Sequence, residues 1–183
     1  KAGTKLMTVR FGNVLGSSGS VFHIFQKQIK TKMPITITNN SMSRFVMTQD
    51  QAIELILEAP KLSVGGDVIV LKMPAIYIKD LAQAMNSIYN RKHKTQNPLK
   101  TIEIGASFGE KIYEELLNIE EVSRAVEHDS CYQILPVGFE ETLPLSHKAS
   151  SIAQYNSSLE TKLTVNQIED LIEESNFNNW WVN

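Results

Sequence analysis

Apolar residues recur along the chain at two spacings, one typical of strands and one typical of helices. Short apolar or alternating runs predict strands over residues 5–11, 34–38, 43–47, 67–72 and 101–104. Apolar residues at helical spacing predict helices over residues 18–33, 49–59 and 78–89, and two more that begin at Tyr113 and Val165. Strands that alternate with helices in this way indicate an α/β fold, although they are too few for a complete doubly wound sheet.

Local signals predict where some of these helices begin and end. Thr48 followed by Gln51, and Thr164 followed by Gln167, match the capping box that begins a helix. Pro60 predicts the end of the second helix, because proline has no N–H group to continue the helical hydrogen bonds.

Three expectations concern burial and loops. Residues 5–11 are predicted to be a buried strand. Residues 118–163 have no clear periodic pattern and include charged turns and a polar stretch that is predicted to be loop. The apolar face of the first helix is predicted to contain Val21, Phe22, Phe25, Ile29 and Met33.

Composition and charge exclude several kinds of partner. The formal net charge of −2 gives no basic excess, so we predict no nucleic-acid partner. No apolar run is long enough to span a bilayer and no signal-peptide pattern is present, so we predict no membrane partner. The single Cys131 cannot form an internal disulfide, which predicts a reducing, cytoplasmic setting and a packed thiol. The start "KAGTKLMTVRF" has no Met, as expected of a cut inside a longer protein.

Spacing alone predicts no catalytic group. The stretch "VRFGNVLGSSGSVFHIF" lacks the glycine spacing of a dinucleotide fingerprint, so it is not the pyrophosphate loop of NAD. Its glycines and the N–H groups of the following helix are suited to a phosphate or a nicotinamide, or they form only a turn. The four histidines are scattered without a second ligand at usable spacing, so we predict no metal site.

Four strings occur in one order and together carry a resemblance that spans nearly the whole chain: "VRFGNVLGSSGSV", "MPITITNNSMSRFVMT", "GGDVIVLKMPAIYIKDLAQAM" and "IGASFGEKIYEELL". The series resembles the C-terminal half of extended short-chain dehydrogenases of the polysaccharide-biosynthesis branch. Within that branch it is similar above all to UDP-N-acetylglucosamine 4,6-dehydratases, including those that also epimerise C5. The late "QYNSSLETKL" is similar to their polar tail segment.

The resemblance implies a fold and a division of the chain. Residues 1–17 correspond to the last Rossmann-type strand and the active-site loop, residues 18–117 to a small mixed α/β domain that binds a UDP-sugar, and residues 118–183 to a C-terminal extension with a terminal helix. The N-terminal nucleotide-binding half, with its glycine fingerprint and Tyr-x-x-x-Lys pair, is absent from this sequence. The resemblance also implies NAD or NADP as cofactor, bound mainly by that half, and a homo-oligomer in the full-length form.

The resemblance assigns substrate contacts residue by residue. Asn13 corresponds to a side chain that holds the diphosphate, and Arg44 to an arginine that grips it. Backbone groups of Thr36 and Ile37 correspond to those that pair with uracil, and Glu110 to an acidic residue that accepts from the ribose hydroxyls. On the residues alone, Arg44 and Glu110 are interpreted as an exposed strand arginine and a solvated glutamate.

The cofactor contacts that the resemblance implies in this chain are few. Phe11, Gly12 and Val14 correspond to positions that approach the nicotinamide, and no catalytic residue falls within the chain. Two positions depart from related sequences in a way that removes charge, because Ser18 and Ser107 stand where arginine is common. Phe108 stands where related sequences tend to have proline. These departures leave Arg44 as the main candidate for pairing with phosphate.

The function implied by the resemblance is that of the substrate-binding part of a UDP-sugar 4,6-dehydratase or epimerase in capsular or surface polysaccharide biosynthesis. In such an enzyme, hydride transfer to NAD(P) oxidises C4, the C5 proton is lost, water leaves from C6, and the hydride returns to C6. One alternative is a UDP-sugar 4-epimerase. Another is a non-catalytic module that binds sugar nucleotides or serves assembly.

Overall fold

A computed structural model describes residues 3–95, 97–139, 152–175 and 180. The strands within these ranges are β1 (Thr8–Arg10), β2 (Asn13–Val14), β3 (Ile35–Ile37), β4 (Ser43–Met47), β5 (Val68–Leu71), β6 (Ala75–Tyr77), β7 (Thr101–Glu103), β8 (Glu115–Leu117), β9 (Ala125–Glu127), β10 (Cys131–Ile134) and β11 (Tyr155–Asn156). The helices are α1 (Val21–Lys30), α2 (Gln49–Leu62), α3 (Ile78–His93), α4 (Ile119–Val122) and α5 (Val165–Glu174). The mixed α/β class predicted from the sequence is confirmed.

A four-stranded sheet has the order β1-β5-β10-β9. β1 and β5 run parallel, while β10 is antiparallel to both β5 and β9. One core lies between this sheet and α2, where Leu55 and Ala59 pack with Ile69 and Cys131. The sheet takes strands from each of the three segments predicted from the sequence, and the segment boundaries themselves stay a prediction.

Two smaller sheets and three helices build the part of the fold that contains the candidate site. β4 lies between β2, to which it is parallel, and β6, to which it is antiparallel, while β3 pairs with β7 in parallel. The helices α1, α3 and α5 pack against these strands through a second, larger apolar core. None of the helices in the described ranges is long and apolar enough to cross a membrane.

The boundaries of the first two helices differ from prediction. α1 ends at Lys30, and the chain then turns through Lys32 with a φ of 56°. Met33 therefore lies beyond the helix and is 57% exposed instead of facing the core. α2 continues past Pro60 to Leu62. Proline has no N–H group to donate to the carbonyl of Ile56, but Ile56 lies on the solvent side of the helix, where water can bond to that carbonyl.

The later part of the chain is more ordered than predicted. The helix expected from Tyr113 is instead the strand β8, which pairs with β11 and buries Leu116 and Leu117. The segment 118–163, which has no clear periodic pattern in the sequence, contains α4, β9, β10 and β11, since long-range strand pairing overrides the weak local pattern. Residues 140–151 of that segment lie outside the described residues.

Most of the other predicted elements are found. Both predicted capping boxes are present, with Thr48 accepting from Gln51 N–H and Thr164 accepting from Gln167 N–H. The strand predicted over 5–11 is limited to β1, at the edge of its sheet, so that Leu6 is 76% exposed and the expectation of burial is wrong there.

Candidate functional site

A cavity of about 420 Å³ opens between α1 and the strands β3, β4 and β6. Its wall contains every residue for which the sequence predicts a substrate contact: Asn13, Thr36, Ile37, Arg44 and Glu110. Val14, one of the three predicted cofactor contacts, also lines it. The fold therefore brings together predicted site residues from β2, β3, β4 and the segment after β7.

Most of the remaining wall is apolar. Its buried apolar residues include Phe22, Met42, Val46, Ile76 and Leu81. Ile24 and Ile104 also line the cavity, and their exposed fractions of 50% and 61% place them at its opening. An apolar cavity with a few polar groups along one side is typical of a site for a small organic ligand.

Two β-turns over residues 14–20, here called the α1 turn, lead into α1 and form one end of the cavity. The N–H of Ser17 donates to the carbonyl of Val14, and the N–H of Ser20 donates to the carbonyl of Ser17, each over 3.1 Å. Gly16 and Gly19 take the third position of these turns with φ of 72° and 75°, which glycine adopts without strain. The α1 turn therefore directs the N-terminal end of α1 toward the cavity.

Ser20 is the N-cap residue of α1 and lines the cavity, but its side chain makes no capping hydrogen bond. Its hydroxyl oxygen is buried and has no hydrogen-bond partner among the described residues. The first turn of a helix also has N–H groups without intrahelical partners and a partial positive charge. This end of the cavity therefore has the properties of an anion site.

Arg44, by contrast, is largely engaged with the chain itself. Its Nη1 donates to the carbonyls of Ser43 at 2.7 Å and Ile112 at 3.3 Å, and its Nη2 donates to the carbonyl of Lys111 at 2.7 Å. The side chain is 17% exposed, so the interpretation of Arg44 as an exposed strand arginine is wrong. Arg44 holds the segment after β7 against β4, and the Arg44 side chain also forms part of the cavity wall.

Glu114 is a site residue that the sequence did not reveal. Its carboxylate accepts from Asn13 Nδ2 at 2.8 and 2.9 Å and from the N–H of Phe45 at 3.1 Å, and it lies 3.8 Å from Arg44 Nε. Asn13 Nδ2 also donates to the carbonyl of Phe45 at 3.1 Å, so its two N–H groups already have acceptors. In the helix expected from Tyr113, Glu114 would have been an ordinary surface residue.

Two buried serines complete what we call the Glu114 cluster, which consists of Asn13, Ser43, Arg44, Glu114 and Ser157. The Ser157 hydroxyl accepts from the N–H of Glu114 at 2.9 Å and donates to the carbonyl of Ser43 at 3.0 Å. Both serines are fully buried. The C-terminal part of the chain thereby fixes the backbone of Glu114, and through Glu114 the side chains of Asn13 and Arg44.

Glu110 lines the cavity and is held by two hydrogen bonds. One carboxylate oxygen accepts from the Thr38 hydroxyl at 3.1 Å, and the other accepts from the N–H of Ser107 at 3.0 Å. A carboxylate has further lone pairs beyond these two bonds, so Glu110 keeps capacity to accept from a ligand hydroxyl.

The backbone groups predicted to pair with uracil have partners within the chain. The N–H of Thr36 donates to Gln28 Oε1 at 3.1 Å, and Gln28 Nε2 donates to the Thr36 hydroxyl at 2.7 Å. The carbonyl of Ile37 accepts from the N–H of Ile104 at 2.9 Å. A base that used the N–H of Thr36 would therefore have to displace Gln28, and the pairing stays a prediction.

Comparison with known proteins decides the family. Residues 1–136 match the family described as "Polysaccharide biosynthesis protein", which is most of the chain. The chain belongs to this family.

Relatives within the curated proteins and solved structures agree with that assignment. The chain is 34% identical, over 97% of its length, to an uncharacterized membrane protein of Methanocaldococcus jannaschii, of which it covers 52%. It is 39% identical, over 72% of its length, to a UDP-glucose 4-epimerase of Rickettsia bellii, of which it covers 37%. The X-ray structure of Pen from Bacillus thuringiensis is 37% identical, with a TM-score of 0.79 over 92% of this chain and 49% of that one. The chain thus spans about half or less of these relatives.

The three residues predicted to contact the cofactor do not all line the cavity. Phe11 and Gly12 line a second hollow of about 260 Å³, which Val14 does not line and whose wall shares Asn13 with the cavity. A Cβ at Gly12 would meet Phe45 Cβ at 2.5 Å, so packing against β4 accounts for the glycine. The cofactor contacts of Phe11, Gly12 and Val14 stay a prediction.

Cys131 has the structural role predicted for it. The thiol is fully buried at the core between β5, β10 and α2. Burial raises the pKa of the Cys131 thiol, which disfavours the reactive thiolate.

Proposed function

We propose that the cavity binds a UDP-sugar of the UDP-N-acetylglucosamine type, and that the chain is the substrate-binding part of a UDP-sugar 4,6-dehydratase or epimerase of surface polysaccharide biosynthesis. The observation that carries the proposal is the convergence of Asn13, Thr36, Ile37, Arg44 and Glu110 on one cavity. The resemblance assigns these residues on sequence alone, and they come from four separate segments of the chain.

The chemistry of the cavity suits the parts of a nucleotide sugar. An apolar wall beside the strand β3 suits a uracil ring, which would pair with the Thr36 N–H by displacing Gln28. The carboxylate of Glu110 has lone pairs for the ribose hydroxyls. The α1 turn, whose Ser20 hydroxyl has no partner among the described residues, suits the diphosphate.

Arg44 would contribute to the diphosphate site from the other wall. Three of its N–H bonds are directed to backbone carbonyls, which fixes the guanidinium in place before a ligand arrives. A guanidinium has five N–H donors, so one that makes these bonds can still pair with a phosphate oxygen. Asn13, whose amide donors are already taken by Glu114 and Phe45, would act by shaping the wall.

This chain would bind and orient the sugar nucleotide, and the oxidation and reduction of the sugar would depend on NAD or NADP. The cofactor would supply the acceptor and donor of the hydride. We assign no step of that chemistry to the described residues. We propose that the cofactor is held mainly by polypeptide beyond these 183 residues, in a cytoplasmic homo-oligomer.

A second candidate is a UDP-sugar 4-epimerase, which the similarity to the epimerase of Rickettsia bellii favours. Both enzymes would use the same cavity for the same uridine diphosphate, so binding data do not separate them. Product analysis of the full-length enzyme with UDP-N-acetylglucosamine does, since a dehydratase releases a 4-keto-6-deoxy sugar and an epimerase releases a C4 isomer. A full-length protein without turnover would favour the non-catalytic module.

Titration calorimetry of this chain with UDP, UDP-N-acetylglucosamine, ADP and NAD tests the proposed function. We expect binding of both uridine nucleotides and no binding of ADP or NAD. Ile24→Asp places a negative charge at the cavity opening, where it would repel an anionic nucleotide, and should abolish the binding of UDP.

The matched control is Ile53→Asp on α2, where the side chain is 47% exposed and does not line the cavity. It makes the same change of charge and should leave the affinity for UDP unaltered. A folded chain that binds no uridine nucleotide would contradict the proposal, as would equal losses in the two variants.

A further inference from the structure

Phe108 is placed at the tip of a tight turn beside the cavity. The N–H of Glu110 donates to the carbonyl of Ser107 at 3.1 Å, which closes a β-turn over residues 107–110. Gly109 occupies its third position with a φ of 80°, as a type II turn requires. The Phe108 side chain is fully exposed, at 108% of its reference area.

This turn is fixed to the cavity wall. The carboxylate of Glu110 accepts from the N–H of Ser107 inside the turn and from the hydroxyl of Thr38 at the end of β3. Thr38, Glu110 and Ile104 all line the cavity, and Phe108 lies between the last two in the chain. These two bonds hold the turn that carries Phe108 against the end of β3.

The surroundings of the ring match an aromatic ligand. Ile24 and Ile104, both at least half exposed, form an apolar rim at the cavity opening. Glu110 also lines the cavity, its oxygens suit a ribose, and the base of a nucleotide is attached to that ribose. A base whose ribose bonds Glu110 would stand close to the turn over residues 107–110, because that turn contains both Glu110 and Phe108.

We propose that Phe108 is a specificity-determining residue that stacks on the nucleobase of the bound nucleotide. The inference rests on the proposed function of the cavity and adds the residue that selects an aromatic base. Removing an aromatic side chain that stacks on a base typically weakens binding by about tenfold. A fully exposed side chain contributes no buried packing, so this loss should come without a loss of stability.

The test compares UDP with 5,6-dihydrouridine diphosphate, whose base is not planar or aromatic, by calorimetry on the 183-residue chain. Wild type should prefer UDP, and Phe108→Ala should weaken UDP binding about tenfold and abolish the preference. Phe108→Trp should retain both the affinity and the preference, because it keeps an aromatic face. Ile119→Ala, at an exposed apolar side chain of α4, should change neither.

The outcomes separate this inference from the proposed function. If wild type binds UDP and Phe108→Ala binds it equally tightly, the stacking role is wrong and the proposed function stands. If Phe108→Ala weakens both ligands by the same factor, the ring acts as a general apolar cover and stacking is again wrong. If wild type binds no UDP, the proposed function itself fails.

Discussion

The α1 turn and the Glu114 cluster both present polar groups at the cavity, but they differ in how those groups are used. In the Glu114 cluster, the amide of Asn13 and most of the Arg44 guanidinium bond to acceptors of the chain itself. In the α1 turn, the Ser20 hydroxyl has no partner among the described residues, and a helix N-terminus faces the cavity. The residue types that suggest phosphate binding are thus in the first region, and the available donors are in the second.

The difference shows that residue identity and availability are separate properties of a site. An arginine or an asparagine with its donors satisfied internally serves to fix a wall, because breaking those bonds would leave buried acceptors unpaired. A helix N-terminus needs no particular side chain to attract an anion, since its N–H groups belong to the backbone. If the two regions differ in this way, substitutions in the Glu114 cluster should lower stability, and substitutions in the α1 turn should lower the affinity for the ligand.

The largest effect is expected at Glu114. Glu114→Ala removes the acceptor for Asn13 Nδ2 and the N–H of Phe45 and leaves Arg44 without its carboxylate neighbour. We expect a loss of about 2–3 kcal/mol in the free energy of unfolding, because hydrogen bonds to a charged group are among the stronger ones. Urea unfolding measures it, with Glu115→Ala at the exposed neighbouring position as control.

Glu115→Ala should change the free energy of unfolding by no more than about 0.5 kcal/mol, as surface substitutions usually do. If Glu114→Ala changed the free energy of unfolding as little as this control, the Glu114 cluster would not be the region that stabilises the structure. Glu114→Gln should fall between the two, since it keeps an acceptor oxygen but loses the charge.

Arg44 belongs to the Glu114 cluster and also lines the cavity, so Arg44→Ala should affect both stability and binding. We expect the affinity for UDP to fall about ten- to a hundredfold, because a charge-assisted bond to phosphate is lost. Arg44→Lys should recover only part of the affinity, since an ammonium keeps the charge but not the planar fork. Calorimetry with UDP gives the affinity, and a thermal melt confirms that each variant is folded.

A folded Arg44→Ala variant that binds UDP as tightly as wild type would assign Arg44 wholly to the Glu114 cluster. The assignment of Arg44 to the diphosphate would then be wrong. The α1 turn would remain as the anion site, and the Glu114 cluster would then have only a structural role.

Local patterns in the sequence were sufficient for much of this fold. The capping boxes at Thr48 and Thr164 and the alternating run of β5 depend on neighbours within a few residues, and each was found as predicted. β8 and β11 could not be predicted in this way, because each is stabilised by a partner strand about 40 residues away in the sequence. The prediction that α2 ends at Pro60 was wrong, because the cost of proline in a helix depends on whether the carbonyl left without a donor is exposed to solvent.

The same limit applies to the candidate site. The resemblance selected five residues as substrate contacts, and the fold brings all five to one cavity. It did not reveal Glu114, whose hydrogen bonds to Asn13 and Phe45 span 101 and 69 residues of sequence. Nor could it reveal that the Ser20 hydroxyl lacks a partner within the described ranges, since pairing is a property of the folded arrangement.

The smallest effect, and the one that most directly separates the two regions, is expected at Ser20. An N-cap serine usually stabilises its helix, and replacing it with alanine typically costs about 1 kcal/mol. Ser20 makes no capping hydrogen bond, so Ser20→Ala should leave the free energy of unfolding within about 0.5 kcal/mol of wild type.

Binding, unlike stability, should be weakened by Ser20→Ala, because the variant lacks the hydroxyl that would bond to the diphosphate. We expect the affinity of Ser20→Ala for UDP to fall about fivefold, the equivalent of one ordinary hydrogen bond. Ser18→Ala, at an exposed position of the same α1 turn, should change neither quantity. If Ser20→Ala instead lost stability like an ordinary N-cap and kept its affinity for UDP, the hydroxyl would be structural. The diphosphate would then have to be sought on the Arg44 side of the cavity.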